Sequence, residues 1–325
     1  HISRDNILDD SIFQLKYENI NTKNLSIYFN DEEGVDAGGL LKDWMTNVMK
    51  ELLETGLFKP TPSAKYLTID ENNATKDLLF FAGQLIAIAL NNNLNADINL
   101  TLFIWKLFKH EKITIEDMEE FDPLVHQSLK WILNNDVIDL DDVFVDINDE
   151  ELIKNGENIK LTNQNKQKYV KLMLKRMFLG RNTELFEFMV NGFKKSVDSS
   201  KLRLYDAIEL REKINGEKFI NIYDWKNNTE YDSEDEDYVE LFFDIISDWS
   251  QEKLQKLLKF ATGSSLVPVN GFANLPNKLF NIEVSYDPDM YPEAHTCFNR
   301  IVLPKDNYED ELERKLEEAI EVVDF

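Results

Sequence analysis

The stretch Lys226-Asn227-Asn228-Thr229-Glu230-Tyr231-Asp232-Ser233-Glu234-Asp235-Glu236-Asp237 constrains the fold of this chain more than any other segment. It is polar and ends in four consecutive acids, a run that repels itself and stays solvated. The residues before it read as mainly helical with some strands. Those after it mix helices with loops and short strands. The 325 residues therefore divide into a large helix-rich lobe and a smaller α+β lobe, free to move about a linker that few contacts cross. Hydrophobic residues make up 43% of the chain, with 11 Gly and 8 Pro. That composition is globular and excludes a mostly disordered or collagen-like protein.

Periodicity fills in the lobes. Asn24–Phe29 alternates at first and predicts a short strand. Gly34–Gly39 reads as a turn, followed by a helix presenting Leu40, Trp44, Val48 and Leu52. Residues 77–92 are apolar on more than one face and predict a buried helix. Pro123–Leu133 is amphipathic, with Val125, Leu129, Ile132 and Leu133 on one side. Residues 166–179 and 183–195 predict two helices split by Gly180, and residues 310–322 a closing helix. Segment 262–292 reads as loops and short strands.

Charge and cysteine usage narrow the classes. The formal charge is −25, the wrong sign for gripping phosphate backbones or an anionic membrane surface. No apolar run reaches the about 20 residues of a membrane span. Cys297 is the single cysteine, so no internal disulfide forms and the chain reads as intracellular. The four histidines, His1, His110, His126 and His295, build no His-Glu-x-x-His frame, and no metal site is expected. A start at His1 without Met reads as a piece of something longer.

Cys297 lies in Tyr291-Pro292-Glu293-Ala294-His295-Thr296-Cys297-Phe298-Asn299-Arg300, ahead of Ile301-Val302-Leu303-Pro304. A loop thiol beside His, Thr and Arg suits an exposed nucleophile, because thiolate is the reactive form and such neighbours favour it. The competing reading is a small buried hydrophobe. A papain-like arrangement has no support, since its histidine would follow far down-chain and the chain ends at Phe325.

Several blocks together resemble one family. Ala294-His295-Thr296-Cys297-Phe298-Asn299 with Leu303-Pro304 is similar to the active-site loop of HECT-type ubiquitin ligases. Phe260-Ala261-Thr262-Gly263 with Pro268-Val269-Asn270-Gly271-Phe272 resembles the family's Phe-x-Thr-Gly and Pro-x-x-Gly-Phe block. Glu33-Gly34-Val35-Asp36-Ala37-Gly38-Gly39 resembles its Glu-Gly-x-Asp-x-Gly-Gly turn. Ser128–Leu133, Leu161-Thr162-Asn163, Asp224-Trp225 and Thr229-Glu230-Tyr231 fall in the same order, so the likeness spans about residues 20–325.

The resemblance implies an α+β, bilobal HECT domain. Its N-lobe would cover residues 1–229, with a conjugating-enzyme-binding subdomain about 123–195. A flexible hinge would follow at 230–237, and a C-lobe at 238–325. It implies a ubiquitin-protein transferase that needs no cofactor and accepts ubiquitin as a thioester on Cys297. His295 and Thr296 would position the loop, Phe298 would pack beneath it, and Asn299 and Arg300 would be structural. A ubiquitin-conjugating enzyme would dock on Val125, Ser128, Leu129, Ile132, Val143, Val145 and Tyr169, and Thr229, Glu230, Tyr231 and Asp232 would carry the hinge. The partners implied are ubiquitin, a conjugating enzyme and an unidentified protein substrate, with no nucleic acid and no membrane insertion, in the cytoplasm or nucleus. The rival from another class is an inactive scaffold that binds ubiquitin or the conjugating enzyme. A cysteine hydrolase is weaker, for want of a histidine partner.

Overall fold

The computed structural model describes residues 2–17, 21–23, 25–30, 39–217, 219–276, 278–287, 289–305 and 309–321. The side chains of Tyr17, Cys297 and Glu309 lie outside that description, as does the Glu33–Gly38 turn.

The first part of the chain forms α1 (Ile7–Tyr17), α2 (Gly39–Glu54), β1 (Phe58–Pro60), β2 (Leu67–Ile69), α3 (Lys76–Asn92), α4 (Leu102–Lys109), α5 (Asp117–Phe121), α6 (Pro123–Asn134), α7 (Lys166–Leu179), α8 (Glu184–Ser196), α9 (Ser199–Leu202) and α10 (Ala207–Asn215). The second forms α11 (Ile222–Asn227), β3 (Thr229–Glu230), α12 (Glu236–Ser247), α13 (Gln251–Thr262), β4 (Phe280–Ser285), β5 (Glu293–His295), β6 (Arg300–Pro304) and α14 (Glu309–Glu321). The helices expected at 77–92, 123–133, 166–179 and 183–195 are all present. Of the strand expected at 24–29, Asn24 lies outside the described residues, and over 25–29 the one pairing is an isolated parallel bridge of Phe29 with Ile2.

Helix α3 is the axis of the large lobe. Thr75 caps its start by accepting from the Leu78 amide, and Asn93 ends it in the left-handed region at φ 55°. Between these caps Leu79 and Phe81 through Leu90 are buried, which explains an apolar pattern wrapped around the helix. Helix α8 crosses α3 at backbone contact. A Cβ on Gly83 would overlap the Met189 carbonyl oxygen, and one on Gly192 would overlap the Phe80 carbonyl oxygen. On α2, Trp44, Val48 and Leu52 are buried, as their spacing predicts. Trp44 Nε1 donates to Ser11 Oγ at 2.8 Å and ties α2 to α1.

Leu129, Ile132, Val137, Phe144, Leu161, Tyr169, Val170 and Met173 form a separate small core under α6 and α7. Phe178, Leu185, Phe186, Met189 and Phe193 belong to the main core instead. The subdomain expected to reach residue 195 therefore has its core between Leu129 and Met173. The reason is that α8 turns its apolar face to α3.

The small lobe carries a four-stranded sheet in the order β3-β4-β6-β5. β3, β4 and β6 run parallel and β5 is antiparallel to β6. Its core begins at Ile220 and includes Trp225, whereas the large-lobe core ends at Ile214. Trp225 stacks flat on Phe272, with centroids 4.8 Å apart, and meets Phe280 edge-on. Asp224 Oδ2 accepts from the Phe272 amide at 2.8 Å.

The expected hinge is thus folded. Thr229 and Glu230 pair with Phe280 and Asn281, and Asp232 caps a 3-10 turn by accepting from the Glu234 amide. The acid run opens α12, where negative charge is favourable beside the helix N-terminus. Its Asp235 is buried against Tyr286 Oη at 3.1 Å and Lys305 Nζ at 3.5 Å. The chain crosses between cores at Gly216 instead, where φ is +66°.

Alanine within a helix normally gains about 1 kcal/mol over glycine. At Gly83 the sign should reverse, because the α3–α8 crossing leaves no room for a methyl group. Gly83→Ala is expected to lower stability by about 2 kcal/mol, measured as a fall in the urea midpoint. A midpoint that rises would show that the two helices separate without cost.

Candidate active site

The Cys297 turn is the tip of a hairpin. His295 pairs with Arg300 across β5 and β6. Thr296, Cys297 and Phe298 form a 3-10 turn between them. Asn299 closes the tip in the left-handed region, at φ 50° and ψ 43°, a conformation asparagine tolerates better than other non-glycine residues.

Asn299 is 1% exposed and its polar groups are bonded. Its Nδ2 donates to the carbonyls of Pro276 and Lys278, each at 2.7 Å. Its Oδ1 accepts from Lys42 Nζ at 3.3 Å, and its carbonyl accepts from the Asn281 amide at 3.0 Å. One side chain therefore holds the Cys297 turn to the preceding loop and to α2 of the large lobe. Arg300 Nη1 donates to Glu283 Oε2 at 2.7 Å on the neighbouring strand.

His295 is exposed and Thr296 half-buried. Phe298 does not pack beneath the loop. It is 40% exposed, with the Lys278 ammonium 5.1 Å from its ring centroid. It lies in the 3-10 turn, ahead of the strand whose positions Ile301 to Pro304 are buried.

The other family-like blocks brace the same tip. Thr262 is fully buried and its hydroxyl donates to Leu258 O. Gly263 then ends α13 at φ +75°, and its carbonyl accepts from Thr46 Oγ1 of α2 at 3.2 Å. Between α2 and this segment lies a cleft of about 790 Å³, with Met49 and Leu53 on one side, Phe260 and Leu266 on the other, and Thr296 at its edge. Among the described residues, no group of three or more His, Cys, Asp or Glu could hold a metal ion. No helix among them is long and apolar enough to cross a membrane.

The residues expected to meet a conjugating enzyme divide by environment. Leu129, Ile132 and Tyr169 sit in the small core. Burial, with Asp142 and Asp146 nearby, pushes the Tyr169 phenol up to about 12. Val125 is half-buried against both cores. Val143 and Val145 are half-buried in isolated bridges to Lys160 and Glu151. Ser128 is exposed and bonds back to Leu124 O. An open groove of about 440 Å³ lies here, lined by Gln127, Ser128, Trp131, Ile132, Leu140 and Asp142. Trp131 is 49% exposed and Leu124 76%. Both were missed in the sequence, although their i, i+7 spacing marks a second apolar stripe on α6.

This bilobal frame carries the chain's single cysteine on a hairpin tip braced by both lobes. A family model described as HECT-domain (ubiquitin-transferase) matches residues 46–324. The chain belongs to the HECT-domain family. It is 33% identical to E3 ubiquitin-protein ligase pub3 of Schizosaccharomyces pombe, over 98% of this chain and 44% of that protein. It is 33% identical to E3 ubiquitin-protein ligase ptr1 of the same yeast, over 95% of this chain and 10% of that protein. To E3 ubiquitin-protein ligase RSP5 of Emericella nidulans it is 31% identical, over 98% of this chain and 42% of that protein. The chain thus spans less than half the length of these relatives.

Asn299→Ala removes three side-chain hydrogen bonds and places alanine at positive φ. It is expected to lower stability by about 3 kcal/mol. Asn299→Gly tolerates the φ and should recover about 1 kcal/mol of that. Thermal midpoints of the two variants check this, and equal midpoints would remove the backbone contribution.

Proposed function

We propose that this chain takes ubiquitin from a conjugating enzyme as a thioester on Cys297 and passes it to a protein lysine, inside the cell where the thiol stays reduced. The observation that carries the reading is the family's Ala-His-Thr-Cys-Phe-Asn sequence at a hairpin tip, on a chain of that family. In the first step the Cys297 thiolate attacks the thioester carbonyl. A new C–S bond forms, the old one breaks, and the conjugating enzyme leaves as a thiolate. In the second step a neutral substrate amine attacks the same carbonyl. The C–N bond forms, the C–S bond breaks, Cys297 returns as a thiolate and the amine proton goes to solvent. Both steps are covalent catalysis by sulfur. The activation is already stored in the thioester, so neither step consumes a nucleotide.

His295 and Thr296 flank the thiol as positioning groups in this reading. The conjugating enzyme docks on α6. Trp131, Leu124 and Leu140 supply the apolar contact, Ser128 and Ile132 line the same groove, and Leu129 and Tyr169 support it from beneath. An exposed Trp at a groove is a common energetic anchor. Val125, Val143 and Val145 act through the small core's shape. The lobes, 1–215 and 220–321, pivot at Gly216. This lies upstream of Thr229–Asp232, because Ile220 and Trp225 already belong to the small lobe's core. Reacting atoms must approach to about 3–3.5 Å in each step, and such hinge motion is of order μs–ms.

The test is a charging assay with ubiquitin, its activating enzyme, a panel of conjugating enzymes and ATP. The chain should gain an adduct that a thiol reductant removes. Cys297→Ala should gain none, and Cys297→Ser should form an ester that survives reductant. An adduct-free wild type that still binds a conjugating enzyme would make the chain a scaffold.

Trp131→Ala should slow charging about tenfold or more with the thermal midpoint unchanged, since Trp131 lies outside the small core. Leu129→Glu should unfold the small core instead, because it buries a carboxylate. Unchanged charging of Trp131→Ala would remove the groove from the docking site.

A further inference from the structure

Lys42 has no part in the chemistry described above, yet it ends on the catalytic turn. It lies near the start of α2 and is 7% exposed. Its stem passes beside Gly263 and Thr296: a Cβ built on Gly263 would lie 3.9 Å from Lys42 Cδ and 3.7 Å from Thr296 Cβ. Its ammonium then donates to Asn299 Oδ1 at 3.3 Å, on the residue two places after Cys297. Burying an ammonium is costly unless it is hydrogen-bonded, so packing alone would favour a hydrophobe here. The two N–H groups of Asn299 are committed to Pro276 and Lys278 in its own lobe, which aims its acceptor oxygen at the large lobe.

We propose that Lys42 is a positioning residue for the second transfer, holding the Cys297 turn on α2 through Asn299 Oδ1 while the acceptor amine displaces the thiolate. This rests on the ubiquitin-transferase reading. The first transfer takes the thiol to a conjugating enzyme on α6, whereas the turn here packs on α2. The contact therefore belongs to the arrangement after the acyl group has been handed over. Thr46, one turn along α2, reinforces it through its hydroxyl bond to the Gly263 carbonyl.

The experiment separates the two steps in the full chain. Single-turnover pickup of ubiquitin from a conjugating enzyme is measured first, then discharge of the isolated thioester to free lysine. Lys42→Met should slow discharge about tenfold, the effect of losing one charge-assisted hydrogen bond, and keep the wild-type pickup rate. Lys42→Arg, which also presents a cationic donor, should restore most of the discharge rate. In an Asn299→Gly background Lys42→Met should add no further loss. If Asn299→Gly does not fold, the Met and Arg variants carry the test alone. Equal slowing of both steps, an Arg variant no better than Met, additive losses, or faster discharge in Lys42→Met would each overturn the proposal. A wild-type chain that never charges overturns the transferase reading and this proposal with it. A wild type that charges, with Lys42→Met discharging normally, overturns this proposal alone.

Discussion

The flat stack of Trp225 on Phe272 is the contact on which the small lobe depends. Trp225 is fully buried, and three further rings, Phe243, Phe272 and Phe280, close around it. Asp224 beside it takes the Phe272 amide, at the place where Gly271 at φ +85° leaves room for a carboxylate and no side chain would fit. Phe280 in turn opens β4, the strand that pairs with β6 directly after the Cys297 turn. The pairing of an Asp-Trp dipeptide with a distant Gly-Phe block is therefore one physical unit. It anchors β4, the strand that lies beside the one following the Cys297 turn.

Much of this was legible in the chain because single faces were well marked. Trp44, Val48 and Leu52 recur at helical spacing and are buried, and α3 is apolar all round because α8 covers a face that α2 does not. The acid run at 234–237 misled because sequence pattern cannot tell a solvated linker from a helix N-terminus. Both favour clustered carboxylates, one through hydration and the other through the helix dipole. The deciding features were non-local: Asp235 meets Tyr286 and Lys305 from beyond the next two helices, and Thr229 finds its strand partner at Phe280. The split of apolar residues between the two cores is non-local in the same way: α7 contributes Tyr169, Val170 and Met173 to the small core and Phe178 to the main one, while α8 faces the main core.

Helix α6 carries two apolar stripes that face different surroundings. Leu129 and Ile132 point into a small core that would be marginal if left half-filled. The Leu124 and Trp131 stripe on the same helix stays in solvent. Family likeness singled out the inward stripe because residues that shape a groove from beneath and residues that line it are interleaved three and four apart. Large exposed side chains beside a groove are the mark of a surface kept for a partner, and the half-exposed indole rather than the buried leucine fits that description.

The lobe boundary joins these observations to motion. The main apolar core of the large lobe and the core of the small lobe stop short of each other, at Ile214 and Ile220. Polar contacts cross between them. Glu217 and Val267 exchange backbone hydrogen bonds, Thr46 reaches the Gly263 carbonyl, Lys42 reaches Asn299, and a wide cleft lies beside these contacts. A polar contact is rehydrated when the lobes part, so breaking it costs only about 1 kcal/mol net, whereas opening an apolar core costs about 25 cal/mol for each Å² exposed. A polar seam around a cleft lets the lobes separate without unfolding either. It also lets a few directional bonds decide which arrangement is held. A rigid apolar interface would fix the thiol in one place, and the proposed two-step acyl transfer needs it in two.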